Sequence, residues 1–159
     1  MFSNKVNTMK KKASIIISSL MLLMGCSGTA PKLGTENKQL LACPDKPNCV
    51  NSRDTDDEHA IAPIQFKGNQ QLAHQQLIAI LEASGDAKII TNNEDYIRAE
   101  FTSSIFRFVD DVEFYFPENT THSVTGETII EVRSASRIGQ SDLGVNRKRI
   151  EKIRSQLIK

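Results

Sequence analysis

The chain of 159 residues has no tryptophan, two tyrosines and seven phenylalanines, so aromatics make up only 6%. A stacking platform for bases or sugars is therefore not expected. It has no glycine-rich phosphate loop, no Gly-x-Ser-x-Gly elbow and no His-Glu-x-x-His pair. Those absences remove the common signatures of nucleotide use, serine hydrolysis and zinc proteolysis. An excess of positive charge is missing too: there are 20 basic and 19 acidic residues. Four of the basic ones, Lys5, Lys10, Lys11 and Lys12, lie in the first 25 residues, which hold no acid, so the remainder carries 16 against 19, a net charge of about −3. Such a domain lacks the field needed to meet nucleic-acid phosphates, or to hold an anionic membrane by charge alone. There are no repeats and no low-complexity tracts. What the chain does have is 39% hydrophobic residues, enough for the core of one ordinary domain.

The longest apolar stretch, Ala13 to Met24, is too short for a membrane-spanning helix, which needs about 20 residues. Preceded by Lys10-Lys11-Lys12 and followed by small residues, it reads as a secretory signal, with Met9 as the more natural start. Its end, Leu23-Met24-Gly25-Cys26, resembles the lipobox of bacterial lipoproteins, in which the cysteine thiol receives a diacylglycerol and the chain is cut just before it. The resemblance implies a signal peptide over 1–25 and a lipidated Cys26. Several acyl chains, at about 0.8 kcal/mol per buried methylene, anchor stably where one does not. An ordinary cleaved signal that happens to contain a cysteine is the alternative. Ser27, where an aspartate resembles an inner-membrane retention signal, points to the outer membrane, facing the periplasm, if the organism has two membranes. Residues 27–40 are polar with glycine and proline and read as a flexible tether. That leaves 41–159 as the folded domain.

Export makes the other cysteines interpretable. Cys43 and Cys49 frame Cys-Pro-Asp-Lys-Pro-Asn-Cys, and a close pair in an oxidising compartment reads as a disulfide. A metal site is the rival, with His59 and the Asp54, Asp56 and Asp57 cluster as the only near ligands. The paired spacings of zinc sites are missing, and the spacing is not that of a Cys-x-x-Cys redox pair. No metal and no cofactor is expected.

Along the domain, 40–63 is turn-rich and acidic, ending in a short strand at Ile61–Phe66. Asn69 is placed to cap a helix whose apolar face is Leu72, Ala73, Leu77, Ile80 and Leu81, and Gly85 to end it. Strands follow at Ala87–Thr91, at Tyr96–Thr102, through Val112, Phe114 and Phe116, and at Thr128–Ser134, each alternating in polarity. A last helix begins near Ser141 or Asp142, with Val145, Ile150, Ile153 and Leu157 as its stripe. The fold class expected is α+β: a single antiparallel sheet of about four to five strands with two helices packed on one face.

Four segments carry a second resemblance: Cys43-Pro-Asp-Lys-Pro-Asn-Cys-Val-Asn-Ser, His59-Ala-Ile-Ala-Pro, Phe108-Val-Asp-Asp-Val-Glu-Phe-Tyr, and Val132-Arg-Ser-Ala-Ser-Arg-Ile-Gly-Gln-Ser-Asp-Leu-Gly-Val-Asn-Arg-Lys-Arg. Together they resemble the family called domain of unknown function 1499, over roughly Leu40 to Lys159. The resemblance implies one compact domain and brings no catalytic residue, substrate or cofactor with it.

Two groups of residues could carry chemistry. Alternation puts Asp111, Glu113 and Tyr115 on one face, and a hairpin with Thr128–Ser134 sets Arg133 opposite Asp111 or Glu113, depending on register. An ion-pair network worth up to about 1 kcal/mol per pair is one reading. Paired carboxylates for acid–base work or cation binding are the other. Arg133, Arg137, Arg147 and Arg149, with Ser134, Ser136, Ser141 and Asn146 and the free amides of a helix start near Asp142, could hold an anion. Alternatively, Ser141 or Asp142 caps the helix and the arginines pair with Asp110, Asp111 and Glu131. His59, His74 and His122 are scattered, and only His59 has acidic neighbours in sequence.

The expectation is a non-catalytic, lipid-anchored domain of the cell envelope. It would bind an envelope protein or a small anionic ligand through Asp110, Asp111, Glu113, Arg133, Ser136, Arg137, Asn146 and Arg147. An envelope hydrolase using Asp110, Asp111 and Arg133 is the alternative, and a lipid-handling module with an apolar cavity a third. Nothing in the sequence fixes an oligomeric state.

Overall fold

Strand alternation and two well-punctuated helices organise the molecule, a computed structural model that describes residues 28–118 and 126–158. Strands β1 (Thr35–Glu36) and β2 (Gln39–Leu40) make a small hairpin. Asn37 and Lys38 at its tip both have positive φ, as a two-residue hairpin turn requires. Next come β3 (Cys49–Asn51), β4 (Ile64–Lys67), helix α1 (Gln70–Ala83), β5 (Ala87–Asn92), β6 (Tyr96–Thr102), β7 (Val109–Tyr115), β8 (Glu127–Ser136) and helix α2 (Val145–Leu157).

The main sheet has six antiparallel strands, in the order β3-β8-β7-β6-β5, with β4 also on β8. The α+β class expected from sequence holds, but the sheet exceeds the expected four to five strands. The added strand is β3, which shares the outer edge of β8 with β4. The first half of β8 pairs with β4 (Ile64 opposite Ile130) and its second with β3 (Val50 opposite Ser134). Strands of three and four residues are too short to show an alternation in sequence. Hence β3 was hidden in a presumed loop, and the strand expected at Ile61–Phe66 falls at Ile64–Lys67.

One face of the sheet carries Ile97, Ala99 and Phe101 from β6, Val112 and Phe114 from β7, and Ile130 and Val132 from β8. These join Ala73, Leu77 and Leu81 of α1 and Ile150, Ile153 and Leu157 of α2 in a single buried core. The α1 cap is as expected, with Asn69 Oδ1 accepting from Leu72 N at 2.8 Å, but the helix stops at Ser84, whose N–H bonds Leu81 O, one residue before Gly85. Helix α2 starts three residues after Asp142. Gly144, at φ 78°, is its N-cap and has no side chain to offer, so Asp142 reaches forward and its Oδ2 accepts from Asn146 N at 2.7 Å. No helix among the described residues is long and apolar enough to cross a membrane.

The other face of the sheet is also covered, and every residue of β7 is buried. The cover is the segment 28–42, part of which the sequence suggested to be tether. Leu40 is buried, Gly34 N donates to Glu113 Oε1 at 2.8 Å, and Leu41 O accepts from the Asn51 amide at 2.9 Å. The segment is held largely through backbone groups, which explains why its polar sequence looks like a linker. It is then stapled to the sheet edge by a disulfide between Cys43 and Cys49.

Candidate functional site

Beneath that cover lies a layer of charge set by strand register. Pairing of β6 with β7 puts Arg98 opposite Glu113 and Glu100 opposite Asp111, while pairing of β7 with β8 puts Arg133 opposite Glu113. The side chains then connect diagonally into two clusters. In the first, Asp111 takes Arg98 Nη2 at 2.7 Å and Arg137 Nε at 2.8 Å, and Glu100 accepts from both arginines. In the second, Glu113 takes Arg133 Nη1 at 3.0 Å on one oxygen, and the Tyr96 hydroxyl at 2.7 Å together with Gly34 N on the other.

Asp111, Glu113 and Arg133 are all buried. Burial alone would raise the Asp111 carboxyl, but hydrogen bonds and charge from Arg137 and Arg98 outweigh it and hold the group below its ordinary range. Burial, with Glu113 close by, pushes the Tyr96 hydroxyl upward and keeps it a neutral donor.

Between the cover and this layer is a cleft of about 310 Å³, lined by Lys32, Lys46, Asn48, Asp111, Arg133 and Arg137 among others. Two polar atoms buried beside it, Arg133 Nε and Asn48 Oδ1, have no hydrogen-bond partner among the described residues. The Lys46 ammonium has none among the described residues, and Lys32 meets only Glu36, at 3.7 Å on the surface.

The structure divides the residues singled out from sequence. Asp111, Glu113, Arg133 and Arg137 come together on the charged face. Asp110, Ser136 and Asn146 lie on the opposite, helix-bearing side. There Arg149 Nη2 reaches Asp110 at 2.6 Å, and Asn146 joins Ser134, Ser136 and the carbonyl of Asn48. Arg149 also lies over the Phe101 ring, 4.7 Å from its centroid. This group seats the start of α2 on the sheet. Arg147 does something else again, with its guanidinium on the carbonyls of Ala60 and Glu58. Asp110, Asp111 and Arg133 therefore do not converge, and the pairing of arginines with Asp110 and Asp111 considered from sequence is what the fold contains. Glu131 is met by Arg53, at 2.7 Å, instead of by those arginines.

His59 is buried with both ring nitrogens occupied, Nδ1 by Asp56 at 2.8 Å and Nε2 by the Lys46 carbonyl at 3.1 Å. Burial opposes its charge, but two acceptors favour the doubly protonated ring, and its pKa is raised. It ties the disulfide loop to the 54–60 loop. His74 bonds the Asn93 carbonyl, and Asp54 accepts from Cys43 N. Among the described residues no group of three His, Cys, Asp or Glu could hold a metal. Cys26 and His122 lie outside the described residues.

Tyr96, Arg98, Glu100, Lys46 and Asn48 belong to the site and were not singled out. For the first three the signal was present: their alternation on one face of β6 matches that of Asp111 and Glu113. Asn48 and Lys46 are placed by the disulfide loop, which no periodicity announces. No curated protein and no solved structure matches the chain. Residues 39–157, which hold all strands of the main sheet and both helices, match the family described as Protein of unknown function (DUF1499), and the chain belongs to that family.

Proposed function

We propose that the protein is a lipoprotein of the cell envelope, cut before Cys26 and anchored by lipid on that cysteine, whose domain works by binding rather than by catalysis. The reading takes the cleft above the charged layer as a site for a small anion. One observation carries it. Asp111 and Glu113, beneath the cleft, are engaged on both oxygens by arginines, Tyr96 and the Gly34 amide, while among the described residues cations at the cleft keep donors to spare. A general acid or base needs a pKa near the working pH, and Asp111 is displaced the other way. Lys46 and Arg133 Nε, in contrast, have donors without partners among the described residues, and a charged acceptor is what satisfies such groups best. The apolar face of the sheet is filled by both helices, which favours this reading over a lipid-filled interior.

Two measurements test it. Labelling cells with a palmitate analogue should mark the wild-type protein, and Cys26→Ser should lose the mark; unchanged labelling removes the anchor. For the cleft, the thermal midpoint of the mature protein in detergent should rise with added inorganic phosphate. The Lys32→Ala/Lys46→Ala variant, which alters only exposed side chains, should rise much less. Equal shifts in the two proteins would remove the cleft as the anion site.

A further inference from the structure

One end of the molecule is unusually apolar, and it is the end where the chain enters the fold. Gly28 sits against the end of β8: a Cβ there would lie 2.9 Å from Ile138 Cγ2 and 3.0 Å from Arg137 Cβ, and its φ is +66°. Arg137 N bonds Val109 O at 3.1 Å, the first residue of β7. Immediately before Val109 is the 103–108 turn joining β6 to β7, closed by Ser103 N on Phe108 O. Its tip holds Ile105 and Phe106 outward, 81% and 70% exposed, with Phe108 stacked on Phe106 at 5.5 Å between ring centroids.

The start of α2 adds to this end. Leu143 is 85% exposed, and Val145 lines a groove with Phe101 and Asp86, whose carbonyl accepts from Thr102 N beside the same turn. Single exposed apolar residues are ordinary; a group of them at one end marks a contact surface. Arg107 within the tip and Lys148 on α2 have no side-chain partner among the described residues. Aromatic and aliphatic side chains beside such cations suit the layer where acyl chains meet phosphate headgroups.

We propose that this end, the Ile105–Phe108 tip with Leu143 and Val145, is seated in the headgroup layer of the lipid bilayer that carries the Cys26 anchor. The proposal rests on the lipoprotein reading, which supplies the occupant. Only Ser27 separates Cys26 from Gly28, two backbone steps with a reach of at most about 7 Å. Acyl chains on Cys26 therefore leave the protein beside Ile138 and the base of the apolar tip. The domain then stands on the membrane by this end, and the turn between β5 and β6 points away from it.

The chain has no tryptophan, so one introduced tryptophan reports alone. The experiment places Phe106→Trp and, at the far end on α1, Gln75→Trp in the full-length protein, processed in cells. Each is reconstituted into phosphatidylglycerol-containing vesicles with brominated acyl chains, and flotation scores membrane attachment. The expected result is a blue-shifted Phe106→Trp emission, quenched several-fold more than that of Gln75→Trp. Flotation with both tryptophans equally unquenched overturns the membrane-seated end and leaves the anchor standing. A Cys26 without lipid, but a Phe106→Trp still quenched by added vesicles, keeps the seated end and overturns the anchor. A blue shift that grows with protein density and is insensitive to brominated lipid assigns the tip to a second copy of the chain, and overturns the proposal.

Discussion

Glu113 is fully buried and holds Arg133, Tyr96 and the Gly34 amide at once. Losing one member of a buried ion pair strands the other charge, at a cost of about 3–5 kcal/mol, whereas replacing both with apolar groups is often close to neutral. Glu113→Ala should therefore lower the unfolding free energy by about that amount in urea titrations. The Glu113→Leu/Arg133→Met pair should lose less than the two single changes summed, and strict additivity would disprove the coupling. Two other residues give the stability a pH profile with opposite signs. Asp111 has a folded pKa below its unfolded value of about 3.9, so its contribution is present above that value and lost as pH falls through the folded one. His59 has a raised folded pKa, so its contribution is complete below about 6.5 and lost as pH rises through the folded value. The difference in urea midpoint between wild type and His59→Gln should shrink as pH rises above about 6.5, and that between wild type and Asp111→Asn should shrink below about pH 4. A difference constant with pH would mean that either residue acts through packing alone.

At the level of elements, helix α2 begins on a glycine, and Asp142 supplies from outside the helix the acceptor that its first turn needs. Asp142→Ala should cost about 1 kcal/mol in the same titrations, the usual loss for a helix cap. Cys43→Ser/Cys49→Ser should cost about 2 kcal/mol by the chain-entropy relation for a short loop. Because the loop also carries Asn48 and Lys46, that variant should lose the phosphate-dependent rise in midpoint as well. Both helices and strands β6, β7 and β8 were legible in the sequence, since runs of seven residues or more show their period and Asn69 marks its cap in plain view. Strand β4 was legible only roughly, as a strand displaced by a few residues, and β3 was not, because three or four residues carry no period and their pairing depends on a distant edge. Of the charged face, Asp111, Glu113, Arg133 and Arg137 were legible, while Tyr96, Arg98 and Glu100 were visible only as an alternation. The wiring of that face was not legible, because a diagonal contact between Asp111 and Arg137 depends on register and on where the strand ends. Nor could the covering segment be read, since a backbone amide such as that of Gly34 is the same in every sequence.

Across the whole molecule, the sheet is enclosed on both sides by unequal means, helices and an apolar core on one and a polar ribbon over paired charges on the other. The apolar side buries surface continuously, while the ribbon rests on a few hydrogen bonds, one buried leucine and a disulfide. Hydrogen exchange should therefore show residues 28–42 opening well before β6 to β8, and equal protection of the two regions would contradict this ordering of stability. The same ribbon is the route by which any mechanical load on the N-terminus reaches the sheet. A pull at Gly28 would break the contacts at Gly34, Leu40 and Leu41 one after another, a peeling that needs little force, and pay out on the order of 50 Å of chain. Extension then stops at Cys43, where the disulfide passes the load directly to Cys49 and the edge of β8. The segment is thus built as a leash with a fixed stop, and its length before Cys43 can be drawn out while the core stays folded.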